Sequence, residues 1–120
     1  MARLDFPQRG ETYLVDFDPT VGAEIKKTRP AMIIQNDGAN RHSPITIVAA
    51  ITSKIDDELY PTEVLIRAGE GGLKQESVVV LDQIRSIDRR RIVRKLGKVS
   101  EMTLKRTDRA IKISLGLTDR

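Results

Sequence analysis

The chain has 120 residues, with 21 Lys and Arg against 17 Asp and Glu, a net charge of +4, a single histidine and no cysteine. That length suits one domain, residues 1–120, around a single core. The lack of cysteine excludes disulfide frameworks, thiolate metal sites and a cysteine nucleophile, and a lone His42 argues against a zinc site or a two-histidine acid–base pair; no cofactor is expected. The opening MARLDFPQRG has no apolar stretch of signal-peptide type, and no later run approaches the ~20 residues of a membrane span. A cytoplasmic protein without membrane association is the expectation.

In chain order, ETYLVDFDP places Tyr13, Val15 and Phe17 on one face and predicts a first strand that stops at Pro19. The segment from Asp18 to Thr28 has neither helical nor strand period, carries Gly22, and reads as a long mobile loop. PAMIIQN is the second strand, and DGANRHSP is a turn. ITIVAAITS, a continuous apolar run, predicts a central third strand buried on both faces and ending at Thr52 and Ser53. TEVLIR and SVVVLDQIRSI supply the fourth and fifth strands, joined by the glycine-marked AGEGGLKQ. With Ser100 as N-cap, a terminal helix carries one apolar stripe through Met102, Ala110, Ile113 and Leu117 and a second through Leu104, Ile111 and Leu115. Five mostly hairpin-linked strands and one helix predict a mainly β, α+β fold, a curled antiparallel sheet or small barrel with the helix packed on it. The second stripe serves either as a subunit interface or as a broadened core face.

The chemistry concentrates at the Arg-Pro step. Pro30 fixes its own φ and biases Arg29 towards an extended backbone, which aims a permanently charged, fork-shaped donor off the sheet edge. Such a guanidinium matches phosphate oxygens, although most surface arginines are merely solvated. Thr52, at the mouth of a buried strand, can donate to a phosphate or cap its own backbone. Glu24 is a base, a partner for Arg29, or an ordinary loop carboxylate. DRRRIVRK, from Asp88 to Lys95, is either a polyanion footprint or a solvated face.

Three segments in order and spacing, RGETYLVDFDPTVGAEIKKTRPAMIIQN, NRHSPITIVAAITS and SVVVLDQIRSID, resemble the MazF/PemK family of toxin endoribonucleases, over nearly the whole chain. The resemblance implies a homodimer of SH3-like antiparallel β-barrels that cuts single-stranded mRNA without a metal and is silenced by a cognate antitoxin. It implies catalytic roles for Arg29 and Thr52, assistance from Glu24, and RNA contact by Asn36 and Gln83. It also implies 2′,3′-cyclic phosphate and 5′-hydroxyl products. RNA carries its own nucleophile, so attack of the 2′-hydroxyl on phosphorus requires alignment, charge stabilisation and proton transfer rather than a metal-activated water.

With two Tyr, two Phe and no Trp, the chain is poor in stacking platforms. Recognition is expected to lean on amide and backbone contacts, with Lys26, Lys27 and Arg85 along the RNA path. A basic cleft of this kind should also accept an acidic, partly disordered antitoxin segment that folds on binding. Two other classes share the fold: a non-catalytic RNA-binding barrel, and a gyrase poison of the CcdB type. The lack of any tryptophan counts against the second.

Overall fold

The structure is a computed structural model and describes residues 5–119; the two ends of the expected 1–120 domain lie outside the described residues. The elements are β1 (Glu11–Asp16), β2 (Thr28–Ile33), α1 (Asp37–His42), β3 (Ile45–Thr52), β4 (Glu63–Ile66), β5 (Ser77–Asp88), β6 (Ile92–Lys98) and α2 (Glu101–Ser114), with short 3-10 turns at 70–72 and 89–91. The strands form one six-stranded sheet in the order β4-β5-β3-β2-β1-β6, antiparallel at every pairing.

The predicted two-sided burial of β3 holds. Ala49 and Ile51 belong to one core with Met32, Val79 and Leu81, while Val48 and Ala50 belong to a second with Val15, Phe17, Ala31 and Ile33. Alternate residues of one strand thus feed two cores, which is what a strand apolar at every position does when both faces are covered. In β5, Ala49 pairs with Ile84 and Ala50 with Val80, so Leu81, Asp82 and Gln83 form a bulge. Bulges bend a strand and re-aim its side chains; this one turns Gln83 towards the β1–β2 loop, where its Oε1 accepts from Ile25 N at 2.8 Å.

The sheet closes without a strand pair. Leu96 of β6 packs against the core that contains Val64 and Ile66 of β4, the strand at the opposite edge. The contact is backbone on backbone: a Cβ on Gly72 would stand 2.0 Å from Leu96 O, and one on Gly97 would stand 2.7 Å from Gly71 C. Gly71 and Gly72 have φ of 63° and 68°, the left-handed region that glycine occupies without a Cβ penalty. Thr12 Oγ1 donates to Gly71 O at 2.6 Å and ties the turn to β1.

Three departures from the sequence reading have physical causes. β2 begins at Thr28, so Arg29 and Pro30 lie within the strand; Pro30 is tolerated at its start, before the β2–β3 pairing begins at Ala31. DGANRHSP contains the helix α1, capped by Asn36, whose Oδ1 accepts from Ala39 N at 2.8 Å. Buried Asn40 anchors it by accepting from Thr46 Oγ1 and donating to Gln35 O. The arginine run leads into a sixth strand, β6, which among the described residues pairs only with β1, through two register shifts. It keeps Arg94, Lys95 and Lys98 exposed, so charge concealed its period.

Helix α2 begins at the expected cap, Ser100, whose Oγ accepts from Thr103 N at 3.2 Å. Its buried face runs through Thr103, Thr107 and Ala110, with Leu104 and Ile111 joining the core. Thr107 is admitted there because its hydroxyl donates to Thr103 O at 2.8 Å. Of the first apolar stripe only Ala110 is buried; Met102 and Leu117 are exposed, as is Leu115 of the second.

Glu70, beside the closing turn, accepts from Ser100 N and Ser100 Oγ at the N-terminus of α2. Partial burial pushes its pKa up, but hydrogen bonds from Thr103 and Ser100, together with the Arg106 charge, outweigh that and hold it below the ordinary 4.5. A depressed carboxyl contributes stability that is fully present above its unfolded pKa and is lost as pH falls through the lower folded value. Glu70→Gln should therefore lower the melting temperature at about pH 7, and the gap to wild type should shrink below about pH 4. Thermal melts across that range measure it. Gly97→Ala should cost about 1–3 kcal/mol in urea denaturation, because the obstacle it meets is backbone and not a movable side chain.

Candidate RNA-cleaving cleft

Where the turn at 70–72 meets β6, the β1–β2 loop and the end of β3 leave an open cleft of about 680 Å³. Arg29, Thr52, Glu24 and Lys26, scattered over the sequence, all line it. The β2–β3 pairing ends at Ala31 with Ala50, two residues from Arg29 on one strand and two from Thr52 on the other. Leu14, Ile51, Leu73 and Leu96 supply its apolar part.

Each polar group arrives in a definite state. Thr52 Oγ1 accepts from Lys54 N at 3.1 Å, which is the backbone-capping role raised for this hydroxyl, and its proton remains available to donate. Among the described residues, no hydrogen-bond or ion-pair partner engages the Arg29 guanidinium, which is exposed. Glu24 Oε1 accepts from Val21 N and Glu24 N donates to Val21 O, a local turn that occupies one carboxylate oxygen and leaves the other open.

Sequence reasoning missed part of the wall. Lys54, Lys74 and Arg94 join Lys26 and Arg29, giving, among the described residues, five cations against the single carboxylate of Glu24. Only Arg94 carried a signal, as a member of the arginine run; Lys54 and Lys74 follow strand and turn residues that give no hint of convergence. The run itself is divided among separate tasks. Arg89 donates to Asn40 O, Ser43 O and Asp5 O, Arg90 pairs with Asp88, Arg91 holds Asp16 O and Asp18 O, and Lys95 pairs with buried Glu11. Arg94 alone of these lines the cleft.

The remaining sequence candidates lie elsewhere. Asn36 caps α1 and is not among the cleft residues, and Lys27 is exposed beside the cleft without lining it. Gln83 and Arg85 line a second cavity of about 350 Å³, which shares Ala23, Glu24 and Ile25 with the first. The loop segment 23–25 is thus a partition between two cavities. Among the described residues, no group of three or more His, Asp or Glu side chains is placed to hold a metal ion, and no helix is long and apolar enough to cross a membrane.

Residues 8–115 match the family model for PemK-like, MazF-like toxins of type II toxin–antitoxin systems. Endoribonuclease EndoA of Bacillus subtilis (strain 168) is 43% identical over 112 residues, which span 93% of this chain and 97% of that protein. The crystal structure of MazF from Deinococcus radiodurans superposes with a TM-score of 0.80 at 27% identity, covering 92% of this chain and 97% of that one. An endoribonuclease from Mycobacterial species, solved in complex with its cognate antitoxin, shares the fold at a TM-score of 0.78 and 24% identity, over 93% of this chain and 97% of its own. With an α+β fold of this shape and a match running through the strands that build the cleft, the chain belongs to the PemK-like, MazF-like toxin family of type II toxin–antitoxin systems.

Proposed function

We propose that this chain, as one toxin domain, is a sequence-specific endoribonuclease that cuts single-stranded mRNA in the cytoplasm without a metal ion, arresting translation and growth. The observation that carries the reading is the convergence of an unpartnered Arg29 guanidinium and a Thr52 hydroxyl with a free proton on one strongly basic cleft.

The reaction follows from what those groups can do. The 2′-oxygen attacks the adjacent phosphorus, the P–O2′ bond forms and the P–O5′ bond breaks, leaving a 2′,3′-cyclic phosphate and a 5′-hydroxyl. Charge builds on the non-bridging oxygens of the phosphorane, where the Arg29 fork and the Thr52 proton stabilise it. Glu24, through its open carboxylate oxygen, takes the 2′-hydroxyl proton, and a water molecule gives one to the leaving 5′ oxygen; the hydroxide left behind reclaims the proton from Glu24, so no net proton is consumed. Arg29 serves as an electrostatic donor, not as a base.

Lys26, Lys54, Lys74 and Arg94 extend the positive wall beyond the scissile phosphate. They hold the backbone, while base edges splayed from a single strand are read by amide groups, with Asn36 and Gln83 assigned to that contact. The excess of cations also suits an acidic, partly disordered antitoxin segment competing for the cleft, in keeping with the antitoxin complex of the mycobacterial relative. The active unit is a homodimer.

Incubation of the purified protein with a long mixed-sequence RNA in EDTA, followed by end mapping, should give discrete cuts with 5′-hydroxyl ends; protection without cuts would mark a non-catalytic binder instead. Arg29→Ala and Thr52→Ala should each slow cleavage about a hundredfold or more with the melting temperature preserved. A near-normal rate in either removes that residue from the site. Glu24→Gln should also lose about a hundredfold, and full activity in that variant would assign the proton to another acceptor.

A further inference from the structure

The loop that supplies Glu24 and Lys26 to the cleft is fastened from its outer side. Arg91, in the turn before β6, donates through Nη1 to Asp16 O at 3.2 Å and also to Asp18 O. Arg85 of β5 donates through Nη1 to Phe17 O at 2.5 Å, and its guanidinium carbon lies 6.0 Å from the centre of the Phe17 ring. Three consecutive carbonyls, those of Asp16, Phe17 and Asp18, are therefore gripped by two arginines from other elements. Neither arginine lines the cleft.

The grip reaches the catalytic strand through the loop's own bonds. Asp18 Oδ1 accepts from Lys27 N at 2.9 Å, and Phe17 N donates to Lys27 O at 2.9 Å. Lys27 has a φ of 68°, a left-handed conformation that few residues other than glycine adopt and that the surroundings must hold. Two residues later stands Arg29. A displacement of the Asp16–Asp18 carbonyls would pass through Lys27 to the start of β2, and through the loop to Glu24.

We propose that Arg91, supported by Arg85, is a positioning residue of the RNA-cleaving cleft: by holding the first stem of the β1–β2 loop from outside, it sets where Glu24, Lys26 and Arg29 stand. The inference rests on the nuclease reading above. Hydrogen bonds from a charged donor are stronger than neutral ones, and a guanidinium spanning two carbonyls fixes direction as well as distance. Arg85, expected from sequence along the RNA path, spends its guanidinium on the loop.

The test uses the full chain with Arg91→Met and Arg85→Met, which remove the donors and keep an apolar stem, and Arg91→Lys as the conservative change. Trypsin cleavage after Lys26 and Lys27, read without RNA, should quicken about tenfold in Arg91→Met while the melting temperature stays put, because local opening and not global unfolding controls it. The rate constant for RNA cleavage should fall about tenfold or more, with the affinity for an uncleavable 2′-deoxy oligonucleotide falling by a smaller factor, since Lys54, Lys74 and Arg94 are not on the loop. Arg91→Lys should fall between. Arg85→Met should follow Arg91→Met in both readouts. An unchanged tryptic rate in Arg91→Met overturns the proposal, as does loss of oligonucleotide affinity with an unchanged cleavage rate constant, or a melting temperature that drops in step with cleavage throughout the chain. Trypsin reports the loop with no RNA present, so failure of the wild-type protein to cut any RNA would defeat the nuclease reading separately from the loop fastening.

Discussion

The contact on which the rest depends is the meeting of two backbones, Gly71–Gly72 against Leu96–Gly97. A six-stranded antiparallel sheet has two edges, and here they are brought onto one core by a turn that fits because Gly72 and Gly97 carry no side chain. With any Cβ at Gly72 the turn would collide with a carbonyl oxygen. The same contact defines the cleft, since Leu73, Lys74 and Gln75 leave the turn on one side and Arg94 and Leu96 reach it from β6 on the other. Closure of the fold and formation of the basic wall are thus one event.

Much of this was legible in the sequence where local pattern and tertiary demand agree. The alternation in β1 and the uninterrupted apolar run of β3 follow from simple periodicity, and both cores confirm them. Ser100 announced the start of α2 by its capping chemistry. What escaped was structure whose signal lies in partners far along the chain. β6 looks like a charge run because it is an edge strand with solvent on much of its surface. The buried face of α2 is hidden because its innermost residues are threonines, whose hydroxyls are satisfied only once the helix exists. The bulge at Leu81–Gln83 has no local marker at all, being a mismatch between β5 and β3.

The candidate site divides in the same way. Arg29 and Thr52 could be singled out because Pro30 and the end of an apolar strand give each a local reason to point outward. Lys54, Lys74 and Arg94 were invisible as a group, since their convergence depends on the closing turn. A run of like charges proved a poor guide to a binding surface: four of its five cations, from Arg89 to Lys95, hold backbone carbonyls or carboxylates, and the fifth faces the cleft. Charge by composition and charge by position are different quantities, and only the second bears on a polyanion.

The strand that closes the sheet has one more consequence. An unpaired edge offers its free N–H and C=O groups to any other extended chain, which is how sheets grow into aggregates. At one margin β4 is only four residues long; at the other, β6 is studded with Arg94, Lys95 and Lys98 and kinked by two register shifts against β1. Cationic side chains along an edge make the approach of a second identical edge repulsive. Arg94 therefore belongs at once to the basic wall of the cleft and to the defence of the sheet against its own copies, so an apolar residue there would weaken both the positive charge of the cleft and the guard on the edge.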